Sequence, residues 1–288
     1  MIMPQAQIGV GLKRSHLDSI FESRQPVDFF EIHAENYFTP SAALHDQLDR
    51  IRRDYRLSIH GVGLSLAGAA PVDIDHLAHL KGLIDRYQPF ILSEHLAWSK
   101  DHTHYYNDLL PIPYNQASLK NMIDRVNQTQ DYLGRIILIE NPARYLDFKE
   151  SDRSEAEFLN QLCDQTGCGL LMDLTNLYIS SQNLGFDPQQ ALQEYKLKRI
   201  DEIHFAGIEY RRENNLLIDS HGGPIAQPAI DLFDFLCSLP ENSLNSPALL
   251  MEWDNHLPEW AVFKSEAARL RHIHHALILK GAKDAIPT

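Results

Sequence analysis

The sequence is poor in cysteine, and its few thiols exclude two classes of protein. Only three cysteines occur in 288 residues: Cys163, Cys168 and Cys237. A small and odd number of cysteines argues against a disulfide framework. No second pair accompanies Cys163 and Cys168 to complete a zinc motif. We therefore expect three buried or neutral thiols.

Long apolar runs and basic clusters are also missing. No stretch approaches the roughly 18 consecutive apolar residues of a transmembrane helix. The N-terminus lacks the basic segment and apolar run of a signal peptide. The formal net charge of −13 would repel nucleic acid and anionic membranes, and pairs of adjacent arginines occur only at residues 52–53 and 211–212. We expect a cytoplasmic protein that binds neither nucleic acid nor membrane.

Short apolar runs alternate with amphipathic segments, a pattern that predicts repeated βα units around a parallel sheet. The predicted strands cover residues 7–12, 28–33, 57–61, 90–95, 136–141, 169–173, 200–206 and 248–253. The predicted helices cover residues 15–24, 41–54, 74–87, 115–133, 154–165, 188–195, 228–239 and 263–279. Eight strands and eight helices, with no Gly/Ser-rich linker, predict one (β/α)8 barrel domain over residues 1–288. The longer connections, 95–114 and 207–228, should lie over the active site.

Side chains that bind metals gather where the predicted strands end. These strand ends and the loop after the seventh strand carry His60, Glu94, His95, Glu140, Asn141, Asp173, Asn176, Glu202, His204, Asp219, His221, Glu252 and Asp254. All strand carboxyl ends of a parallel barrel meet at one face, so these residues should converge there. A glutamate that ends an apolar strand is costly to bury unless it is paired or bound. The pattern predicts a metal site.

The residue types narrow the choice of metal. A mixture of histidine and carboxylate without cysteine suits iron, zinc or manganese, whereas carboxylates alone favour magnesium or calcium. About nine ligands are too many for one ion, and Glu140 or Glu252 can bridge two ions. Considered one at a time, these residues have simpler structural explanations. Glu94 could form an ion pair with the adjacent His95, and Asp219 could cap a turn. Their joint placement favours a cluster of two or three ions.

The chain resembles the DUF692 (UPF0276) family of bacterial proteins over nearly its whole length. The resemblance rests on ordered blocks at residues 9–12 (GVGL), 30–38 (FEIHAENYF), 58–61 (SIHG), 93–99 (SEHLAWS), 107–111 (NDLLP), 140–142 (ENP), 173–178 (DLTNLY), 202–207 (EIHFAG), 219–222 (DSHG) and 252–255 (EWDN). It implies a xylose-isomerase-like (β/α)8 TIM barrel. The characterised members are iron enzymes that modify cysteine residues of ribosomally made peptides.

The resemblance also implies cofactors and partners. One member makes the oxazolone and thioamide of the copper chelator methanobactin, and another excises the β-carbon of a C-terminal cysteine during 3-thiaglutamate synthesis. Both use two or three irons and dioxygen, and both work with a separate protein that helps bind the precursor peptide. For this chain the resemblance implies Fe2+ and Fe3+ ions in a mixed cluster, a cysteine-containing precursor peptide and a peptide-binding partner protein.

The wider superfamily includes endonuclease IV, a tri-zinc phosphodiesterase, and this chain is similar to it in the order of its ligands. The similarity implies nine metal ligands: His60, His95, Glu140, Asp173, Asn176, His204, Asp219, His221 and Glu252. Asn176 departs from the pattern, because endonuclease IV has a second histidine there. An amide oxygen is a harder and weaker ligand than imidazole, which counts against a plain tri-zinc nuclease. Candidates for a base beside the ligands are Glu94, Asp254 and His33.

Three classes of function remain open from the sequence. The first is an iron- and dioxygen-dependent oxidoreductase that modifies a peptide. The second is a Zn- or Mn-dependent hydrolase or isomerase of the endonuclease IV or xylose isomerase type, acting on a phosphodiester or a sugar. The third is a metal-binding protein without catalysis, which a site with no open coordination position would favour.

Overall fold

Eight parallel strands close into a barrel in the computed structural model, which describes residues 6–101, 103–239 and 244–284. The strands in chain order are β1 (Ile8–Gly11), β2 (Phe29–His33), β3 (Arg56–His60), β4 (Ile91–His95), β5 (Trp98–Lys100), β6 (Tyr105–Leu110), β7 (Leu138–Glu140), β8 (Gly169–Asp173), β9 (Ile200–Ala206), β10 (Ile208–Arg211), β11 (Leu216–Asp219) and β12 (Ala248–Glu252). The barrel runs β1-β2-β3-β4-β7-β8-β9-β12 and closes from β12 to β1. Every neighbouring pair in it is parallel, as the predicted fold requires.

Helices lie between the barrel strands and begin where the sequence supplies caps. They are α1 (Leu17–Glu22), α2 (Ala42–Asp54), α3 (Ile74–Tyr87), α4 (Gln116–Leu133), α5 (Glu155–Thr166), α6 (Leu174–Leu184), α7 (Pro188–Glu194), α8 (Gln227–Ser238) and α9 (Trp260–Asp284). Asp73 and Asn115 each accept two backbone N–H groups at the start of α3 and α4. No helix in the described ranges is long and apolar enough to cross a membrane.

The barrel strands send alternate side chains to two environments, as the two-residue period of a strand dictates. One set, such as Ile8, Val10 and Ile59, packs in the large apolar core. The other set points into the barrel, and its apolar members form a separate cluster that we call the apolar plug. The plug consists of Phe29, Ile91, Leu138, Leu171, Ala248 and Leu250. Gly9 makes room for it, because a Cβ at Gly9 would lie 2.3 Å from the Phe29 ring.

The inward positions change from apolar to polar along the strands. On β2 they run Phe29, Glu31, His33, and on β7 they run Leu138, Glu140. The plug therefore fills the amino-terminal part of the barrel, and the polar side chains occupy the carboxyl-terminal part.

All eight predicted barrel strands are confirmed, each within two residues at either end. The helix prediction missed α6, which follows β8 without a loop because Asp173 ends the strand and also caps the helix by accepting the N–H of Asn176. The predicted helix 15–24 is shorter, comprising a 3-10 turn at Arg14–His16 followed by α1. The last helix begins at Trp260, three residues before the predicted start.

Both long connections fold as antiparallel hairpins, which the sequence analysis did not predict. One pairs β5 with β6, and the other pairs β10 with β11. The second hairpin is fastened to α6 by Asn183, whose side-chain amide donates to Leu217 O and accepts from Leu217 N, both at 3.0 Å. This hairpin ends at Asp219, so its attachment fixes the place of a predicted ligand.

Candidate metal centre

Three ligand atoms converge at the carboxyl ends of β3, β4 and β7. His60 Nε2 lies 3.3 Å from both His95 Nε2 and Glu140 Oε2. His95 Nε2 lies 3.2 Å from the same Glu140 oxygen. Ligands that surround a tetrahedral ion at about 2.0 Å are themselves roughly 3.3 Å apart, so this spacing fits one shared cation. Glu140 Oε2 is buried without a hydrogen-bond partner, a costly state for a carboxylate unless a cation binds it.

The far side of each of these two imidazoles is fixed by the fold. His60 Nδ1 lies 2.7 Å from Ser93 Oγ, and His95 Nδ1 lies 3.1 Å from the carbonyl oxygen of Gly61. A carbonyl can only accept, so His95 Nδ1 carries the hydrogen and its Nε2 lone pair faces the cluster. Burial lowers the pKa of His60 well below its usual range and that of His95 to about 4. Both rings are therefore neutral near pH 7, as metal ligands must be.

A second group extends the site across the barrel. Ligand atoms of Glu140, Asp173 and His204 lie within 4.8 Å of one another, and His204 Nδ1 is 3.2 Å from Glu252 Oε2. Asp173 Oδ1 accepts the N–H of Asn176, while its Oδ2 is buried without a partner. Burial and the charge of Asp219 raise the pKa of Asp173 to about 7. Glu140 belongs to both groups, as a bridging ligand would.

The third group stands at the loop after β11. His221 Nε2 lies 2.7 Å from Asp219 Oδ1, and His221 Nδ1 lies 3.4 Å from Glu252 Oε1. The amide nitrogen of Asn176 donates to Glu140 Oε1 at 3.3 Å. Asn176 Oδ1 is left buried with no hydrogen-bond partner. The structure thus brings all nine predicted ligands to one end of the barrel.

A cavity of about 370 Å³ opens onto this cluster. Seven of the nine predicted ligands line it, and the other two, Asp173 and His204, have ligand atoms within 4.8 Å of one on Glu140, which is in the lining. Tyr105, Asn107 and Asp108 from β6 form part of its wall, together with Tyr145. Both long connections contribute to the wall, as expected of loops over an active site.

The three predicted bases occupy different places. His33 and Asp254 line the cavity, and His33 Nε2 is 3.4 Å from Asp254 Oδ2 and 3.6 Å from Glu252 Oε1. Glu94 alternates with the inward residues Ser93 and His95, so its carboxylate faces the turn after β3. There it accepts the N–H groups of Leu64 at 3.2 Å and His95 at 3.1 Å. A role for any of the three as a base stays a prediction.

Two charged residues at the site, Lys13 and Glu31, were not predicted to belong to it, and a third, Glu202, was placed at a strand end but not named as a ligand or a base. Lys13 directly follows the first strand block, and its Nζ contacts Asp254 Oδ1. Glu31 is buried and accepts the hydroxyl of Ser58 at 2.7 Å. Glu202 is fully buried, and neither of its oxygens has a hydrogen-bond partner. The available signal was strand alternation, which places Glu31 with His33 and Glu202 with His204 on the inward face.

Solved structures confirm the barrel type. The chain superposes on L-ribulose 3-epimerase with a TM-score of 0.61 and 13% identity, covering 98% of each chain. Endonuclease IV from Thermus thermophilus gives a TM-score of 0.60 at 14% identity, over 94% of this chain and 99% of that one. At such low identity these likenesses show the fold alone. The fold is a xylose-isomerase-like (β/α)8 barrel, as predicted.

Sequence relatives identify the family. A UPF0276 protein of Rhizobium meliloti is 42% identical over 263 residues, covering 90% of this chain and 84% of its own length. A UPF0276 protein of Psychromonas ingrahamii is 37% identical over 272 residues, covering 94% and 95%. The model of the RiPP precursor modification enzymes MbnB/TglH/ChrH matches residues 7–275, where RiPP denotes a ribosomally synthesised and post-translationally modified peptide. The chain therefore belongs to the MbnB/TglH/ChrH family of RiPP precursor modification enzymes.

Proposed function

We propose that this protein is a multinuclear non-haem iron oxidoreductase that uses dioxygen to modify cysteine residues of a ribosomally synthesised precursor peptide. Family membership implies the precursor peptide. One observation carries the metal requirement: His60, His95 and Glu140 point three ligand atoms at one place, with Glu140 Oε2 lacking any partner. Such an arrangement is costly in the absence of a cation and favourable around one.

The donor set supports two or three ions of borderline hardness. Unpartnered buried atoms occur in all three groups, on Glu140, Asp173, Asn176 and Asp219. Histidine, carboxylate and amide donors without thiolate suit ferrous and ferric iron, and also zinc or manganese. The residues that would hold the ions are His60, His95, Glu140, Asp173, Asn176, His204, Asp219, His221 and Glu252.

When bound, the iron would supply thiolate coordination and dioxygen activation. The chain's own part is to bind and orient the peptide. The cavity of about 370 Å³ can admit a side chain and its flanking backbone, but not a folded domain. Asn107 and Asp108 on its wall offer hydrogen-bonding groups to an extended peptide, and Tyr105 beside them is 64% exposed. A separate peptide-binding protein, implied by the family resemblance, completes the proposal.

A thiol must lose its proton before it can bind a metal as thiolate. His33 lies on the cavity wall with Nε2 facing Asp254 and Glu252, so in the neutral ring Nε2 carries the hydrogen and the other ring nitrogen would take that proton. The two carboxylates would stabilise the resulting imidazolium. Lys13 contacts the other oxygen of Asp254, so the carboxylate of Asp254 keeps a fixed orientation toward His33.

The test is to purify the protein anaerobically, measure iron, zinc and manganese per chain, and record dioxygen uptake with a cysteine peptide encoded beside its gene. The matched control is the same peptide with serine in place of cysteine. We expect two or more irons per chain and uptake that requires the cysteine. Zinc or manganese that ferrous reconstitution cannot replace would instead indicate a hydrolase or isomerase, and a chain with no bound metal would contradict the proposal.

A further inference from the structure

Two carboxylates lie beneath the metal centre, on the side of His204 that faces away from the cavity. Glu31 on β2 and Glu202 on β9 each sit two residues before a residue of the site, so they point into the barrel one step deeper. Their exposed fractions are 2% and 0%, and that of His204 is 0%. Strands β1 and β12 separate β2 from β9, so Glu31 reaches His204 across the barrel interior.

The His204 ring has two faces with different neighbours. Its Nδ1 is 3.2 Å from Glu252 Oε2, on the side of the predicted ligands. Its Nε2 is 3.5 Å from Glu31 Oε1 and 4.0 Å from Glu202 Oε1, and has no hydrogen-bond partner. A neutral imidazole that gives its Nδ1 lone pair to an ion carries a hydrogen on Nε2. The acceptors that face this hydrogen are the two carboxylates.

This environment sets His204 apart from His60 and His95, the other two predicted ligand histidines on barrel strands. His60 faces the hydroxyl of Ser93, and His95 faces the carbonyl of Gly61, so both have neutral partners. His204 faces the carboxyl groups of Glu31 and Glu202 instead. Ser58 holds Glu31 in place through a 2.7 Å hydrogen bond to its other oxygen, so the acceptor is oriented before any ion arrives.

We propose that Glu31, held by Ser58, is a positioning residue that aims His204 Nδ1 at an ion shared with Glu140 and Asp173. An anionic acceptor also makes His204 a stronger donor than His60 or His95, because it offsets positive charge that develops on the ring. The inference rests on the metal requirement of the proposed function, and is independent of iron, dioxygen and the peptide.

The experiment titrates the metal-free full chain with Co2+ alone and follows the visible absorption bands of the bound ion. Glu31→Gln keeps the shape and an acceptor atom but removes the charge. We expect the same number of ions at saturation, one of them bound about 10- to 100-fold more weakly and with a shifted band. Ser58→Ala should move affinity and band in the same direction by a smaller amount.

Glu155→Gln is the matched control. Glu155 is a buried carboxylate that accepts the hydroxyls of Tyr114 and Tyr195, outside the metal centre. Its replacement should leave the cobalt affinity and spectrum unchanged. Circular dichroism confirms that each variant is folded, and Ser58→Ala keeps the test decisive if Glu31→Gln does not fold.

Two results would overturn the inference. Wild-type affinity and spectrum in Glu31→Gln and Ser58→Ala would show that the partner of His204 has no effect on the metal. Complete loss of one ion from both Glu31→Gln and Glu202→Gln would make these carboxylates ligands of a separate ion. If the variants show the expected effects but the iron-loaded chain takes up no dioxygen, this inference stands. Only the proposed dioxygen chemistry would then be contradicted.

Discussion

At both ends of the barrel interior alternate side chains point inward, but they are apolar at the amino end and polar at the carboxyl end. At the amino end the inward side chains form the apolar plug. The larger cavity, about 680 Å³, lies at this end. Of the side chains around it, Arg56 stacks on Phe90 at 3.8 Å and donates to Gln7, and Nε of Arg135 is a buried atom without a hydrogen-bond partner. At the carboxyl end the cavity is about 370 Å³, and buried ligand atoms lack partners.

We infer from this contrast that a cluster of unsatisfied buried atoms, more than cavity size, marks the end of the barrel where the proposed chemistry would occur. The plug stabilises the fold through burial of apolar surface. The polar end costs stability in the metal-free chain, because its carboxylates are removed from water without full compensation. Sites that violate ordinary folding preferences in this way are expected to be functional.

The largest expected effect follows from removing the carboxylate shared by two groups of ligands. Glu140→Gln should lower activity at least a thousandfold, about 4 kcal/mol in the activation free energy. Metal content per chain should fall with it. The metal-free variant should unfold at no lower urea concentration than the wild type, since an unpaired buried carboxylate is gone. A large loss of metal-free stability would break the contrast between the two ends.

At the apolar plug we expect the opposite result: a substitution should lower stability and leave the metal content unchanged. Leu250→Ala removes a fully buried side chain and should lower the free energy of unfolding by about 2 to 5 kcal/mol. The number of ions per chain should stay that of the wild type, because the plug supplies no ligand. Urea unfolding and elemental analysis of the same preparation measure both quantities. Metal loss comparable to that of Glu140→Gln would show that the ends are not independent.

Glu94 lies at the boundary between the barrel interior and its outer face, and its substitution tests how that boundary contributes to stability. Burial and the charge of Glu35 raise the pKa of Glu94 to about 8. The folded chain thus keeps a proton that the unfolded chain releases near pH 4.3, so stability falls as pH rises from about 4.3 to 8. Glu94→Gln should flatten this dependence in the metal-free chain by at most about 3 to 4 kcal/mol between pH 5 and 8.

Urea unfolding at a series of pH values measures the effect of Glu94→Gln. An unchanged slope would show that Glu94 is already ionised in the folded chain. Full activity in the variant would remove Glu94 from the candidate bases, and loss of activity with intact metal content would support it.

The smallest expected effect concerns the ion pair beside the cavity. Burial raises the pKa of Asp254, but the His221 contact and the charges of His33 and Lys13 hold it below its ordinary value, so Lys13→Gln should raise it. Activity should fall less than about tenfold, or 1.4 kcal/mol. The acid limb of the pH–rate profile should move to higher pH. A profile identical to that of the wild type would remove Asp254 from the acid–base chemistry.

The strands and the convergence of ligands were accessible from the sequence, because both depend on local patterns. Apolar runs mark the strands, and polar residues at their ends meet wherever parallel strands close. The helix α6 was missed since Asp173 serves both as the last residue of β8 and as the cap of the helix, leaving no turn to signal a boundary.

The contact between Glu31 and His204 was beyond the reach of such patterns. Alternation shows that both residues point inward, but their strands are not neighbours, and the contact depends on how the barrel closes. The two hairpins were missed for a similar reason. Their pairing begins within two or three residues of a barrel strand, so the segments read as one long connection.

The positions of the three cysteines bear on the proposed thiol chemistry. Cys163 and Cys168 are fully buried in the core, with their sulfurs 3.6 Å apart, and Cys237 is half-buried on α8. None of them lies among the described residues that line the metal cavity. A catalyst that oxidises thiols must discriminate against those of its own polypeptide, and the absence of these thiols from the cavity lining would provide that discrimination. With the proposed chemistry, the lifetime of the enzyme over many turnovers should depend on keeping cysteine away from the cavity wall.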